Sequence, residues 1–351
     1  MTVNYRPPRP SELADCALVW YSAVDDYMAR LGRPLPTPYL DPLLTLLRHL
    51  LTTDPERFLV AVRPGLAGIG QTGEQIVGFG IAAQREHAWF LSQLYVLPQH
   101  QGQGIGRALL TQILPSLAPA RSDGPDGYDG PNDGAQTTAD TADAETAAPT
   151  ADAETAPDDA ERRPGVLAMC TDSAQPVSNA LYARFGIVPR VPVFNLVGTP
   201  NPAALARLPA GIEAVPFGKS DPSAAIDTVD RAVLGYAHAP DHAYLRATGR
   251  TGFLYRADDA TLLGYGYSSE AGRFGPVALL DNTLTATVLG HLMNAIRPRG
   301  ATTVWIPGAN DRAMVALLRA GLRIEGFPAL LCWSRPFGDF ERYLPASLAL
   351  L

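Results

Sequence analysis

The sequence has few cysteines and no long hydrophobic run. Its three cysteines, Cys16, Cys170 and Cys332, are far apart and form no C-x-x-C pair. They are typical of the reduced cysteines of a cytoplasmic protein. No apolar run approaches the roughly 18 residues of a membrane span. The N-terminus lacks the basic and apolar segments of an export signal. We therefore expect a cytoplasmic protein without a membrane partner.

The net charge of −7 is concentrated in one segment. Residues 120–164 carry twelve acidic and three basic side chains, and the rest of the chain is close to neutral. Residues 119–164 consist mainly of Ala, Asp, Gly, Thr, Pro and Glu. This composition predicts disorder, either as an interaction tail or as a solvated insertion. No basic stripe with interleaved aromatic residues is present, so a nucleic-acid partner is not expected.

A glycine-rich stretch lies between a predicted strand and a predicted helix. The apolar run Phe90–Leu97 is followed by three alternating glycines, and apolar residues then recur at helical spacing up to Leu114. Strand, glycine turn and helix together direct backbone N–H groups and a positive helix end toward an anion. Arg107 and Ala108 after the last glycine fit neither a Walker A loop nor the dinucleotide fingerprint.

Two motifs identify a family resemblance. The pattern Q-x-x-G-x-G, filled by Gln101, Gly104 and Gly106, resembles the acyl-CoA loop of the GNAT superfamily of N-acetyltransferases. Asn179 and Tyr182, on the helix that follows the predicted strand 166–172, resemble the segment after the fifth GNAT strand. The resemblance covers about residues 3–198. It implies an α+β fold with a mixed, mostly antiparallel twisted sheet flanked by helices.

The resemblance also implies roles for individual residues, with acetyl-CoA as the cosubstrate. The strand before the loop, at Leu94 to Val96, supplies backbone groups for the oxyanion and the pantetheine arm. Asn179 contacts that arm, and Tyr182 protonates the departing thiolate. The loop residues surround the pyrophosphate: Gln101, Gly102, Gln103, Gly104, Ile105, Gly106 and Arg107. Glu86 is the candidate general base, directly or through a water, although a solvated hairpin residue is equally consistent with its position.

The acceptor is a primary amine that the sequence does not identify, on a small molecule or a peptide. In such folds the acceptor pocket is built from the first helices and loops, here about residues 24–52. Four basic residues of that region are either anion-binding groups or solvated helix residues: Arg30, Arg33, Arg48 and His49. Lys219 is the only lysine, which argues against acetylation of the protein's own side chains.

The second half of the chain repeats the same plan without the functional residues. At the position of the glycine loop it has Asp281, whose carboxylate would repel a phosphate, and Leu317 aligns with Tyr182. We therefore predict a GNAT domain over residues 1–200, interrupted by the acidic insertion, and a degenerate GNAT-like domain over residues 201–351. The second domain closes a sheet edge, walls the acceptor pocket, binds a regulator or is purely structural.

No metal site is predicted. His238 and His242 have the spacing of two ligands on one helix, but Pro240 between them argues against a helix, and no third ligand is evident. The working hypothesis is direct attack of an amine on acetyl-CoA without a covalent enzyme intermediate. The alternatives are a non-catalytic acyl-CoA sensor and an assembly protein, and a homodimer is left open.

Overall fold

Helices flank two β-sheets in the computed structural model, which describes residues 2–33, 35, 39–64, 73–115, 165–218 and 222–351. The helices are α1 Leu13–Arg30, α2 Asp41–Thr53, α3 Ile105–Ile113, α4 Pro176–Ala183, α5 Ser223–Val233, α6 Ala239–Ala247, α7 Thr285–Ala295 and α8 Asp311–Arg319. The strands are β1 Asn4–Arg6, β2 Phe58–Pro64, β3 Glu74–Arg85, β4 Ala88–Val96, β5 Val166–Asp172, β6 Val188–Gly198, β7 Ile212–Pro216, β8 Thr251–Ala257, β9 Leu262–Ser268, β10 Val277–Leu279, β11 Thr302–Pro307, β12 Arg323–Ile324, β13 Ala329–Trp333 and β14 Tyr343–Leu344.

The first sheet has nine strands in the order β1-β2-β3-β4-β5-β13-β6-β11, with β12 beside β6. Its first four strands are antiparallel, and β4 and β5 are parallel. Residues 76–83 of β3 are all buried, because helices cover both faces of the sheet. A strand buried on both faces has a continuous apolar run rather than an alternating pattern. The predicted α+β class is confirmed.

Three strands of the first sheet, β11, β12 and β13, come from the C-terminal half of the chain. The sequence predicts that residues 187–197 supply the closing strands, but they form the single strand β6. The position between β5 and β6 is taken by β13, which pairs antiparallel with both. β6 also pairs with β11 along its other edge. Such pairings join residues far apart in sequence, so no local pattern of apolar residues reveals them.

The second sheet has five strands in the order β14-β10-β9-β8-β7. The predicted strands and helices of the second half are present as β8, β9, β10, α7, β11 and α8. Because β11 and β13 belong to the first sheet, the two halves share hydrogen-bonded strands. The boundary near residue 200 stays a prediction, and the insertion 119–164 lies outside the described residues. No helix within the described ranges is long and apolar enough to span a membrane.

Candidate active site

A cleft opens where β4 and β5 diverge. The two strands are paired only between residues 88–91 and 166–169, although β4 continues to Val96 and β5 to Asp172. The pairing of β4 with β3 skips Ser92, which forms a bulge directly after the last residue paired with β5. A bulge bends the strand that contains it, which explains why β4 turns away from β5 at this point. The cavity that includes this opening has a volume of about 2450 Å³.

The open edge of β4 offers unpaired backbone groups to the cleft. The Leu97 N–H donates to the Val77 carbonyl over 2.9 Å, so the N–H of Leu97 faces β3. Val96 and Leu94 precede Leu97 by one and three positions. Successive N–H groups of a strand point to opposite edges, so those of Leu94 and Val96 face the side of β5. An extended ligand arm has room to pair with this edge as an added strand.

The glycine loop closes one end of the cleft. Gly102 and Gly104 have φ angles of +73° and +80°, a conformation that favours glycine, and Gly104 is the N-cap of α3. A Cβ at Gly104 would meet no atom within 4 Å, so this glycine is required by its backbone conformation rather than by crowding. Gly106 lacks a positive φ. The free N–H groups of the first turn of α3 and its dipole favour an anion here.

Side chains hold the loop in place. Gln101 Nε2 donates to the Val96 carbonyl over 3.0 Å, which ties the loop to the end of β4. Arg63 Nη2 donates to Gln103 Oε1 over 2.7 Å, and its Nη1 lies 3.1 Å from His100 Nδ1. Of the ten predicted binding residues, all but Asn179 line the cavity, and so does Tyr182. The nine are Leu94, Val96, Gln101, Gly102, Gln103, Gly104, Ile105, Gly106 and Arg107.

Tyr182 reaches the cleft from α4. Its side chain is 5% exposed and packs in a cluster with Leu91 and Met169, the last paired residues of the two diverging strands. Burial raises the pKa of its phenol, the nearby Tyr95 raises it further, and a hydrogen bond from Ser178 opposes the shift. The phenol therefore keeps its proton at neutral pH.

Two predicted residues lie outside the cleft. Glu86 is exposed in the turn before β4, at the opposite end of that strand from the glycine loop, and its Oε1 pairs with Arg231 Nη2 at 2.7 Å. The six-residue step from Ala88 to Leu94 alone spans about 20 Å, which places Glu86 far from the reacting groups. Asn179 does not line the cavity; its Nδ2 donates to the backbone carbonyl of Asp172 over 3.2 Å and anchors the end of β5.

Asp172 is a cleft residue that the sequence analysis left unassigned. It ends β5 and lines the cavity, and its Oδ1 accepts the Ala174 N–H over 2.9 Å. The pKa of the Tyr27 phenol is raised by burial and then by the nearby charge of Asp172. The only sequence signal was a carboxylate at the end of a buried strand.

Comparisons with known proteins agree with this geometry. Residues 20–122 match the model of the acetyltransferase (GNAT) family. The likeness to this family is therefore shown for this stretch of the chain. The structure resembles that of a proposed acetyltransferase from Pyrococcus horikoshii, with a TM-score of 0.65. The match covers 99% of this chain and 96% of the other, and the two sequences are 13% identical.

A GCN5-related N-acetyltransferase from Sphaerobacter thermophilus has a TM-score of 0.54 over 97% of this chain and 98% of the other, at 16% identity. At these identities the likeness is one of fold. The comparison with curated proteins finds no match. The GNAT fold therefore rests on the structure and on the family match, and the reaction must be argued from the site.

The described strands of the second half do not separate as β4 and β5 do. In the repeated plan, β10 of the second half corresponds to β4 of the first half. β10 pairs with β9 along one edge and with β14 along the other, which is the edge that is open in β4. Asp281 occupies the position before α7, where its Oδ1 accepts the Thr283 N–H over 2.8 Å. Leu317, which aligns with Tyr182, is completely buried. Among the described residues of the second half, a carboxylate thus lies before the helix and the strand edge is paired, and that this half binds no acyl-CoA stays a prediction.

The two histidines of the second half do come together, on a helix that the sequence analysis rejected. α6 begins at Ala239 with Pro240 in its first turn, where proline lacks no helical hydrogen bond. His242 Nε2 and His238 Nδ1 lie 2.9 and 3.0 Å from Asp230 Oδ2, and all three side chains are buried. Pro240 therefore does not prevent a helix, and Asp230 is a third group with ligand chemistry beside the two histidines, so both of these predictions are wrong. The absence of a metal stays a prediction.

This cluster predicts a loss of stability in acid. Burial, followed by the charge of His238, lowers the pKa of His242 to about 4. The unfolded chain takes up this proton near pH 6.5, so the stability contributed is complete above that pH and is lost as the pH falls toward 4. The loss reaches about 3 kcal/mol. The pKa of His238 is raised, because the charge of Asp230 and a hydrogen bond with it outweigh the effect of burial. The stability that His238 contributes is therefore lost only as the pH rises above 6.5.

Urea unfolding of the wild type and of His242→Gln, at about pH 7 and about pH 4.5, measures this effect. We expect the free energy of unfolding to fall less with pH in the variant than in the wild type. Equal pH dependence of the two proteins would contradict a neutral, buried His242.

Proposed function

We propose that this protein transfers an acetyl group from acetyl-CoA to a primary amine by direct attack in the β4–β5 cleft. The observation that carries the proposal is the separation of β4 from β5 beside a glycine loop with two left-handed glycines. Two buried polar atoms of β4, Ser92 Oγ and Gln93 Oε1, have no hydrogen-bond partner, and both residues line the cavity. Unpartnered polar atoms beside an open edge fit a ligand with amide groups such as pantetheine.

The chain's own groups supply the steps of the transfer. Acetyl-CoA brings the thioester that the amine attacks. The N–H groups of Leu94 and Val96 face the position where the carbonyl oxygen gains charge, and donors placed there stabilise it. Tyr182 holds a proton at its phenol for the leaving sulfur. In place of Glu86 we propose Asp172, which lines the same cleft as a carboxylate, to accept the proton of the attacking amine.

Tyr182→Phe tests the acid role. We expect kcat to fall about 100-fold, because a positioned proton donor contributes roughly that factor or more. The affinity for acetyl-CoA should stay unchanged, because only the hydroxyl is removed. The assay measures CoA thiol release with acetyl-CoA and a panel of primary amines. In the same assay Asp172→Asn should also lower kcat, because it removes the proposed proton acceptor.

Tyr255→Phe is the matched control, since it removes a buried phenol that pairs with His291 in the second half. It should leave kcat unchanged. An unchanged kcat for Tyr182→Phe would remove that residue from the mechanism. Binding of acetyl-CoA without thiol release from any amine would overturn the transfer itself.

A further inference from the structure

The second half of the chain forms one wall of the cleft. Three of its segments line the cavity: residues 244–251, residues 269–273 and residues 346–350. The cavity volume of about 2450 Å³ exceeds the roughly 300–1,000 Å³ of a single small-molecule site. The cleft thus has space for an acceptor beside the cosubstrate, and the acceptor would contact the second half.

Two arginines on this wall have no acidic partner. Arg250 donates to the carbonyls of Gly275 and Ala346, the latter over 3.1 Å, and Arg273 is exposed beside it. The ion pairs within 4.0 Å among the described residues include neither arginine. Arg299, which lines the same cavity, is paired with Glu270.

Arg250 and Arg273 line the same cavity, and Arg250 hydrogen-bonds the backbone two residues after Arg273. Burial and then the charge of Arg273 lower the pKa of Arg250 to about 10. Burial raises the pKa of Tyr244, and the charges of Arg250 and Arg273 oppose that shift. Two like charges without a counter-charge are unfavourable, and a bound anion removes the repulsion. Guanidinium groups bind carboxylates and phosphates through paired, charge-assisted hydrogen bonds.

Of the four basic residues predicted for the acceptor region of the first half, Arg33, Arg48 and His49 do not line the cavity. Arg30 pairs with Asp26 on α1, and His49 Nε2 lies 2.7 Å from Asp241 Oδ1. Among the described residues, the cavity-lining arginines outside these ion pairs are Arg107 in the glycine loop, Arg184 after α4, and Arg250 and Arg273 of the second half, whereas the first half also contributes Asp172.

We propose that Arg250 and Arg273 bind an acidic group of the acceptor, so that the substrate is an amine that also carries a carboxylate or a phosphate. The proposal rests on the proposed function. It gives the second half a role in substrate recognition in addition to its structural role.

The test compares acceptors that differ only in the acidic group. The panel contains amino acids of increasing chain length with their carboxamides, and phosphoethanolamine with ethanolamine. With the wild type, kcat/KM for the acid should exceed that for its neutral partner by about 10–100-fold, the range of charge-assisted hydrogen bonds. Arg273→Ala should remove this ratio by raising KM for the acid. Arg299→Ala, the matched control on the same wall, should keep the ratio.

Three results would overturn the proposal. The first is a ratio near one in the wild type. The second is a ratio that survives Arg273→Ala. The third is a loss of affinity for CoA but not for dephospho-CoA in Arg273→Ala, which would assign the arginines to the cosubstrate's 3′-phosphate.

If no amine releases thiol, the proposed function fails and a binding measurement decides the anion site separately. Thermal unfolding in inorganic phosphate should then show a larger stabilisation of the wild type than of Arg273→Ala. Equal stabilisation of the two proteins would overturn the anion site.

Discussion

Replacement of Gly104 by glutamate is expected to weaken acetyl-CoA binding by about 100-fold or more, equivalent to about 2.7 kcal/mol. The φ of +80° at Gly104 is unfavourable for any residue with a Cβ, so the turn before α3 would shift. The new carboxylate would also lie at the helix start, where the pyrophosphate is proposed to bind, and would repel it. Equilibrium dialysis with labelled acetyl-CoA measures the effect.

Gly321→Glu is the matched control for this prediction. Gly321 follows α8 with a φ of +94°, and a Cβ there meets no atom within 4 Å, as at Gly104. The control therefore adds the same charge and a similar backbone strain far from the loop. It should bind acetyl-CoA like the wild type. A Gly104→Glu protein that folds and keeps its affinity would show that the cosubstrate does not use this loop.

Arg85→Met is expected to lower the free energy of unfolding by about 3–5 kcal/mol, the usual effect of removing one partner of a buried ion pair. Arg85 is 7% exposed, and its Nε and Nη2 donate to both oxygens of Asp241 over 2.8 Å. Its Nη1 donates to Asp54 Oδ2 over 2.8 Å. The variant would leave two buried carboxylates without their shared cation, at a contact between β3 and α6 of the second half.

The control for this prediction is Arg231→Met. Arg231 also connects the two halves, through Glu86, but both side chains are largely solvent-exposed. Exposed ion pairs contribute little to stability, so its urea unfolding midpoint should stay close to that of the wild type. Equal midpoints for Arg85→Met and the wild type would show that the buried network does not hold the two halves together.

The local elements of the fold were predictable because they depend on short patterns. The glycine loop, the strand before it and the helix after it follow from residues within one stretch of about 25 positions. The repeated plan of the second half follows from the same kind of pattern. The insertion of β13 between β5 and β6 was not predictable, because it pairs residues more than 130 positions apart.

The candidate site was predictable only where a motif marks it. Tyr182 and the loop residues have fixed spacings, but Asp172 has the same appearance in the sequence as any carboxylate at the end of a strand. The bulge at Ser92, which opens the cleft, has no sequence signal. The position of Glu86 depends on the length and direction of β4. That Arg250 and Arg273 line the same wall depends on tertiary contacts between separate elements.

The most direct test of the account is an isothermal calorimetric titration of the full-length protein with acetyl-CoA. The account predicts one binding site per chain, in the first half, since in the second half a carboxylate lies before the helix and the strand edge is paired. Absence of binding, or two equivalent sites per chain, would contradict it.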